Sequence, residues 1–275
     1  MIKTIIHCAD IHILNTKRHE EYQEILTRFI NECKAIVEKH ESPQEVRIVI
    51  AGDLVHNKLD ISSEGYILAS WFLNELDDVA PTIIIAGNHD MNMDNIERID
   101  PLSAIFTMCR FKNTIYLDKE LGYQSGCMRD ENVVWCLYSS FDNFAKPDLT
   151  GVRKNDDDRL VCLFHGELKN SKTDVGFVFE NGMPESYFDG VDFGLLGHVH
   201  KRQCIKNNGV PLVYASSMLQ KDAGENISGH GYVVWDVEKC SYEAVDIPNP
   251  NYGFYTVVIN SIDDIDNNLE TIINM

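Results

Sequence analysis

The chain has 275 residues, 44% of them hydrophobic, which suits a globular protein with one sizeable core. It has no apolar stretch near the ~18 to 20 residues of a membrane span, no signal-peptide pattern and no CxxC pair among its eight cysteines. We therefore expect an intracellular protein without a membrane partner. Its location would be the cytoplasm, or the host cytoplasm if the protein is viral. Its net charge of −19 argues against tight nucleic-acid binding by this chain alone, because such binding needs Lys and Arg to neutralise phosphates.

Short β-prone runs alternate with helical patterns along the chain. A strand at 2–7 precedes an amphipathic helix at about 20–40, in which apolar residues recur at a helical period. A second helix near 62–76 lies between strands at 46–51 and 82–86, and a third helix covers about 95–107. The remaining strand-like runs are 114–117, 133–138, 160–164, 192–196, 212–215, 232–237 and 242–246. This order predicts an α/β fold with mixed, largely parallel sheets.

Five of these strands break into His, Asp, Asn or Gly where a buried strand ends. The stretches are IIHCADIH (5–12), RIVIAGDLVH (47–56), PTIIIAGNHD (81–90), LVCLFHGE (160–167) and VDFGLLGHVH (191–200). Six of the ten histidines lie at these strand ends, a regularity that random placement does not explain. Ligands of parallel sheets collect beyond the carboxyl ends of the strands, so we expect these polar groups to meet at one rim.

The polar groups at the strand ends form a set of candidate metal ligands. They are Asp10, His12, Asp53, Asn88, His165, His198 and His200. Side chains at positions i and i+2 of an extended chain point the same way, so the DxH and HxH pairs can each present two ligands to one point. A nitrogen and oxygen set without thiolate suits Mn, Fe, Zn or Mg-like ions, and seven ligands suit two ions that share a carboxylate.

Each motif also has a purely structural explanation. GNHD or GHVH taken alone can be a turn, because Gly, Asn and Asp tolerate tight backbone conformations. His165 alone can be an interior histidine, and His56 can simply pack on the rim. The occurrence of all five stretches in one chain favours a metal site over these alternatives.

In this order the motifs DxH, GDxxH, GNHD, a lone His and GHxH resemble the calcineurin-like metallophosphoesterase superfamily over about residues 7–200. Within it, the chain is most similar to the double-strand-break-repair nuclease branch, which includes SbcD-type exonuclease subunits and phage recombination nucleases. Protein phosphatases of the superfamily usually carry an arginine after the second motif, in GDxVDRG, whereas this segment reads GDLVHNK (52–58), with His56. HGELKN (165–170) and residues 216–236 also resemble the nuclease branch. Ala215-Ser216 departs from the Gly-Ser that the family often has.

The resemblance implies two metal ions, with manganese as the first expectation and Mg, Fe or Zn as alternatives. It implies that Asp10, His12 and His200 hold the first ion. It implies that Asn88, His165 and His198 hold the second ion, and that Asp53 bridges the two.

The resemblance also implies roles for three residues beside the metals. His89 would stabilise the transition state at the scissile phosphate or protonate the leaving oxygen. His56 would contact the phosphate and help to position DNA. Asp90 would orient His89 through a hydrogen bond.

The expected fold is a four-layer α/β/β/α metallophosphoesterase sandwich of two mixed sheets flanked by helices. It spans residues 1–246, and a linker with the start of a possible C-terminal capping module occupies 247–275. The resemblance implies a metal-dependent DNA exonuclease or endonuclease of repair or recombination. A phosphomonoesterase or cyclic-nucleotide phosphodiesterase on the same fold, or an inactive scaffold, are the alternatives.

The partners implied by the resemblance are DNA, a second copy of the chain and an SMC-like ABC ATPase. The ATPase would supply much of the grip on DNA that so acidic a chain lacks. We expect the homodimer contact to involve the second and third helices, because they carry an excess of apolar residues. These residues are Trp71, Phe72, Ile105 and Phe106.

Overall fold

The computed structural model describes residues 1–58, 60–92, 95 and 97–256, which contain twelve β-strands and four α-helices. The helices are α1 (His19–Val37), α2 (Ser63–Asp77), α3 (Pro101–Met108) and α4 (Leu117–Glu120). The first six strands are β1 (Thr4–Cys8), β2 (Val46–Ala51), β3 (Thr82–Ile85), β4 (Thr114–Tyr116), β5 (Gly126–Asp130) and β6 (Val133–Tyr138). The others are β7 (Arg159–His165), β8 (Phe193–Gly197), β9 (Gln203–Asn207), β10 (Val210–Tyr214), β11 (Gly231–Asp236) and β12 (Ser241–Asp246).

The strands form two six-stranded mixed sheets. The first sheet has the order β12-β11-β1-β2-β3-β4, and β1 to β4 run parallel to one another. β11 pairs antiparallel with β1, and β12 pairs antiparallel with β11. The second sheet has the order β5-β6-β7-β8-β10-β9, with parallel pairing from β6 through β10 and antiparallel strands at both edges. The five motif-bearing strands are therefore all parallel members of one sheet or the other.

The two sheets pack face to face through apolar side chains, which alternate between the two faces of each inner strand. On β2, Val49 and Ala51 belong to the core between the sheets, whereas Ile48 and Ile50 point to the opposite face. Trp235 of the first sheet stacks on Phe193 of the second, with ring centroids 4.6 Å apart. Because side chains alternate between the two faces of a strand, each inner strand contributes to two cores at once.

Helices cover the outer face of the first sheet. The buried side of α1 includes Tyr22, Ile25, Leu26 and Phe29, and it packs beside α2 in the core outside this sheet. Helix α2 begins where the Ser62 hydroxyl accepts the backbone N–H of Gly65, a normal N-cap. The outer face of the second sheet is covered in the described chain by loops and a short 3₁₀ helix at Glu185–Phe188.

The prediction of two mixed sheets flanked by helices is confirmed, and most elements lie where expected. Two strands, β5 and β9, were not expected because both are half-exposed edge strands without an apolar run. The third helix is shorter than expected: it begins at Pro101 after Asp100, whose carboxylate caps the N–H of Ser103. Of the possible capping module at 247–275, residues 257–275 lie outside the described residues, and that domain assignment stays a prediction.

The apolar residues that are exposed on the second and third helices are not the ones that the sequence predicted. Phe72 and Ile105 are fully buried within their own chain, and Trp71 and Phe106 are partly buried. The exposed large apolar side chains of α2 and α3 are Ile67 and Met108. The expectation that Phe72 and Ile105 form an exposed surface is therefore wrong, and the homodimer contact stays a prediction. In the described part of the chain, the helices are too short or too polar to cross a bilayer.

Candidate metal centre

The site residues lie on the loops that leave five parallel strands at the same rim. Asp10 and His12 follow β1, Asp53 follows β2 and Asn88 follows β3 in the first sheet. In the second sheet, His165 ends β7, and His198 and His200 follow β8. The rim therefore lies between the carboxyl ends of both sheets, as expected for a ligand site of an α/β fold.

The loops after β1 and β2 continue the parallel pairing beyond the strands. The N–H of Asp10 donates to the carbonyl of Gly52, and the N–H of His12 donates to the carbonyl of Asp53. Asp10, His12 and Asp53 all have φ between 53° and 56°, in the left-handed region. The explanation that an extended chain aims Asp10 and His12 at one point is therefore wrong, because a left-handed turn places them.

Glycines are needed where these loops touch. A Cβ on Gly87 would lie 2.1 Å from Asp53 Oδ1, and a Cβ on Gly52 would lie 2.2 Å from His165 Nδ1. Gly52 also has a φ of +90°, which disfavours other residues. The absence of two side chains thus allows the first and second sheets to bring Asp53 and His165 together.

The first group of candidate ligands consists of Asp10, His12 and His200, whose ligand atoms all lie within 4.8 Å of one another. The Nε2 atoms of His12 and His200 are 3.1 Å apart, and each lies 4.0 Å from Asp10 Oδ1. His12 Nε2 is also 3.3 Å from Asp53 Oδ2, which connects this group to the second one.

The second group of candidate ligands consists of Asp53, His165 and His198, again within 4.8 Å of one another. His165 Nε2 lies 3.2 Å from Asp53 Oδ2 and 3.3 Å from the side-chain oxygen of Asn88. The same Asn88 oxygen lies 2.8 Å from His198 Nδ1. The structure thus separates His198 from His200: one joins each group, and Asp53 adjoins both.

Burial and charge pull the pKa values of these groups apart. Burial raises the pKa of Asp10 and lowers the pKa of His12, because both charged forms lose water. Burial opposes charge on Asp53 too, but His165 and His12 outweigh it and lower the pKa of Asp53. Burial also opposes charge on His165 and by itself would lower its pKa. The adjacent Asp53 carboxylate outweighs this effect, so the pKa of His165 is raised to about 10.

His56 and His89 lie next to the first group on the more open side of the rim. Their rings stack with centroids 5.1 Å apart, and the His89 ring packs edge-on against His12 at 4.7 Å. The ligand atoms of His12, His56 and His89 also lie within 4.8 Å of one another, so this trio could hold a metal as well. The proximity of His56 to the site is what the sequence predicted.

Asp90 has a different partner from the expected one. His89 Nδ1 lies 2.5 Å from the main-chain carbonyl of His56, which orients the ring. The Asp90 carboxylate instead accepts the backbone N–H groups of Leu54, Val55 and Gly87 at 3.0 to 3.2 Å. Burial, and next the Asp53 charge, raise the pKa of Asp90 to about 7. Asp90 therefore fastens the loops after β2 and β3 to each other, and the expectation that it orients His89 directly is corrected.

Three charged residues at the site were not singled out from the sequence. Glu225 Oε1 lies 2.5 Å from His200 Nδ1, and Glu167 Oε1 lies 3.1 Å from His198 Nε2. Lys221 Nζ donates to the carbonyl of His12 at 3.0 Å and to Tyr22 at 3.1 Å, and burial lowers its pKa to about 7. Glu167 belongs to HGELKN (165–170), and Lys221 and Glu225 belong to the segment 216–236. No spacing in the sequence relates Glu225 to a histidine 25 residues away.

The donor set fits divalent metal ions. Asp10 Oδ1 lies 3.9 to 4.0 Å from the Nε2 atoms of His12, His165 and His200, which is longer than a hydrogen bond. His12 Nε2 lies 3.1 Å from His200 Nε2, and Asp53 Oδ2 lies 3.2 to 3.3 Å from the Nε2 atoms of His165 and His12. Neighbouring ligands of one ion are separated by such distances when each bond is ~2 Å long. Histidine and carboxylate donors without thiolate suit catalytic ions more than a closed structural zinc cage.

Comparisons with known proteins agree with this chemistry. A family model described as calcineurin-like phosphoesterase matches residues 3–202, which include all ten residues singled out at the site. The chain is also similar to "Uncharacterized protein R555" of Acanthamoeba polyphaga mimivirus, with 33% identity over 267 residues that cover 94% of this chain. The chain spans 19% of the length of that viral protein.

Proposed function

The chain belongs to the calcineurin-like phosphoesterase family, and we propose that it is a metal-dependent nuclease that hydrolyses phosphodiesters in DNA. The observation that carries this proposal is the convergence of two carboxylates, one amide and four imidazoles beside the His56–His89 stack. Membership in the family makes the chain a metal-dependent phosphoester hydrolase. DNA as the substrate is the part that we propose.

We propose that Asp10, His12 and His200 hold one metal ion and that Asn88, His165 and His198 hold the other. Asp53 adjoins both groups and would be the shared ligand. Bound divalent ions supply a Lewis acid for the phosphate and lower the pKa of water. Manganese is the ion that we propose, since the mixed nitrogen and oxygen donors accept it.

We propose that His89 acts on the substrate. Its Nδ1 faces the carbonyl of His56, and a carbonyl only accepts, so this nitrogen carries a proton. Its Nε2 is then the atom that can hold a second proton and release it to the departing oxygen. His56 stacks on the same ring and is half-buried, so it can contact a phosphate from the open side.

The absence of the phosphatase arginine, whose position Asn57 takes beside His56, supports a diester substrate over a phosphomonoester. An arginine at this place would add a fixed positive charge, which suits the dianionic end of a monoester. A phosphodiester carries one negative charge, and the pKa of His56 is lowered mainly by burial. A neutral imidazole there is compatible with the less charged diester.

We propose three partners that follow from the same branch of the family. DNA is the substrate, a second copy of the chain forms a homodimer, and an SMC-like ABC ATPase supplies positive charge for DNA binding. The net charge of −19 supports the need for such a partner, because the chain alone repels the DNA backbone. The location inside the cell also stays a prediction.

The function is tested with the purified full chain and four substrates, with and without Mn²⁺. These are labelled single-stranded DNA, labelled double-stranded DNA, bis(p-nitrophenyl) phosphate and p-nitrophenyl phosphate. We expect manganese-dependent cleavage of DNA and of the diester. Hydrolysis of the monoester alone would show a phosphomonoesterase, and metal binding without any hydrolysis would show a scaffold.

The matched control for this test is Asp53→Asn. Asparagine tolerates the left-handed φ of 56° and can still accept the His89 N–H, now at 2.7 Å from Asp53 Oδ1. A neutral amide is a poor bridge between two cations, so we expect hydrolysis to fall by at least about a hundredfold while the fold survives. Near-normal cleavage by folded Asp53→Asn protein would contradict the two-metal assignment.

A further inference from the structure

We propose that a cavity beside His198 and His200 binds a nucleobase of the DNA substrate. The cavity has a volume of about 350 Å³, and both histidines line it. Its other walls come from the segment 173–179 and from residues 222–225. This inference rests on the proposed nuclease function and names where the nucleotide next to the cleaved phosphate would lie.

One wall of the cavity is apolar although it is exposed. Val175 is 74% exposed and Phe177 is 60% exposed, unusual values for apolar side chains on a surface that the described part of the chain leaves open. The Phe177 ring packs edge-on against Phe179 at 5.1 Å, and the Phe179 ring lies 6.5 Å from His198. The rings of Phe177, Phe179 and His198 therefore form a continuous row from the surface to the candidate metal ligands. Unstacked nucleobases bind to exposed aromatic faces of this kind.

The segment that carries these rings is held in shape. The N–H of Thr173 donates to the carbonyl of Phe177 at 2.9 Å, and the N–H of Gly176 donates to the carbonyl of Thr173 at 3.1 Å. Asn226 Nδ2 donates to Asp174 at 2.9 Å and ties the segment to the loop across the cavity. The wall is therefore built in advance of ligand binding, which lowers the ordering cost.

The charges around the cavity favour a base over a second phosphate. Asp174, Asp222 and Glu225 line it together with Lys201 and the two histidines. The Lys201 ammonium lies 3.8 Å from Asp174 and is neutralised by it. Carboxylates repel phosphate, but they accept hydrogen bonds from the exocyclic amino groups of adenine, cytosine and guanine. Thymine lacks such an amino group, so it should bind less well in this cavity.

A binding experiment tests this subsite without turnover. Hexanucleotides that carry 2-aminopurine at each position in turn are mixed with the full chain in Ca²⁺, and fluorescence quenching reports stacking. We expect one position to be quenched by the wild type and by Phe177→Trp, and not by Phe177→Ala or Phe177→Leu. Tyr242→Ala, which removes a 39% exposed aromatic ring on β12, is the matched control and should behave as the wild type.

A kinetic experiment with Mn²⁺ then compares normal DNA with DNA that is abasic at the quenched position. Phe177→Ala should raise KM for normal DNA about tenfold and leave kcat unchanged, in line with the usual strength of one base–aromatic stack. With abasic DNA the wild type and Phe177→Ala should have equal KM values. Unchanged quenching in Phe177→Ala, or an equal rise of KM on both DNAs, would overturn the subsite.

The two proposals fail in distinguishable ways. If the wild type hydrolyses bis(p-nitrophenyl) phosphate but cleaves no DNA, the nuclease function is wrong, and the quenching experiment still decides whether the cavity binds a base. If DNA is cleaved but Phe177→Ala changes neither KM nor quenching, the function stands and the subsite is wrong.

Discussion

At the scale of single residues, the site depends on what holds each imidazole ring. His165 Nδ1 faces the carbonyl of Ala51 at 2.7 Å, His89 Nδ1 faces the carbonyl of His56, and His200 Nδ1 faces Glu225. A carbonyl or carboxylate acceptor fixes the proton on Nδ1 and leaves Nε2 for the site. The ring partners therefore set both orientation and tautomer.

We expect His89→Ser to leave both metals bound and to reduce turnover by about a hundredfold or more, the usual contribution of a positioned proton donor. Asn88→Ala and His198→Ala should instead weaken one metal, because both side chains lie in the second group. Metal stoichiometry and manganese-dependent DNA cleavage are measured on the same preparations. Loss of a metal from His89→Ser with a normal rate in excess manganese would make His89 a ligand.

Glu225 is predicted to position His200. Glu225→Ala removes the carboxylate 2.5 Å from His200 Nδ1 and should weaken binding of one metal about 10- to 100-fold, the usual effect of such a loss. Glu225→Gln keeps an acceptor and should recover part of that affinity. The measurement is calorimetric titration with Mn²⁺, with Glu243→Ala on exposed β12 as the control. Equal metal affinity in Glu225→Ala and the wild type would rule out this role.

At the scale of elements, the loops after β1, β2 and β3 act as one unit. Backbone hydrogen bonds join the first two loops, and the Asp90 carboxylate joins the second to the third. Asp118 reinforces this unit, because it accepts the N–H of Ala86 at 2.8 Å just before Gly87. Close contact between these loops leaves no room for an added side chain at Gly87.

Gly87→Ala should destabilise the protein by about 1–3 kcal/mol, the usual cost of overpacking, and should also impair metal binding. Its Cβ would lie 2.5 Å from the backbone nitrogen of Asp53 as well as against the carboxylate, so a ligand must move. Urea unfolding and metal titration measure the two effects. Gly126→Ala is the control, because its Cβ would have only Leu121 nearby at 3.7 Å. Unchanged stability and metal binding in Gly87→Ala would show that the loop relaxes freely.

At the scale of the whole molecule, the site exists only because two sheets dock. The first sheet supplies Asp10, His12, Asp53 and Asn88, and the second supplies the other three candidate ligands. At the opposite end of the strands, Arg47 on β2 makes a bidentate ion pair with Asp130 on β5. Its Nε and Nη2 atoms lie 2.6 and 2.7 Å from the two carboxylate oxygens. Arg47 is 4% exposed, so this pair connects the sheets from a buried position.

Arg47→Met keeps the aliphatic length but leaves Asp130 without its cation, and it should destabilise the protein by about 1–3 kcal/mol. Arg47→Met combined with Asp130→Asn should recover part of this loss, since no unpaired charge remains. Metal stoichiometry of the folded variant should be normal, because the pair lies far along β2 from Asp53. Lys239→Met, at an exposed ion pair, is the control and should leave the urea midpoint unchanged. A wild-type midpoint in Arg47→Met would show that apolar packing alone connects the sheets.

The sequence by itself determined the class of fold and predicted the residues of the candidate site, because both follow from local patterns. Short continuous apolar, β-prone runs identified the inner strands, and the polar residues directly after them indicated the rim. The edge strands β5 and β9 could not be predicted in this way, because both are half-exposed and have no apolar run. The burial of Phe72 and Ile105 also escaped it, because which side of a helix is covered depends on its neighbours.

Only the tertiary structure decided which partners each site residue has. Asp10 and His200 are 190 positions apart in the chain, and their proximity depends on how the two sheets dock. The contact of Glu225 with His200 arises from that docking. The left-handed turns at Asp10 and His12 and the backbone partners of Asp90 arise from contacts between neighbouring loops of the first sheet. Strand periodicity specifies which face a residue takes on its own sheet, and it contains no information about the residue that arrives from the other sheet.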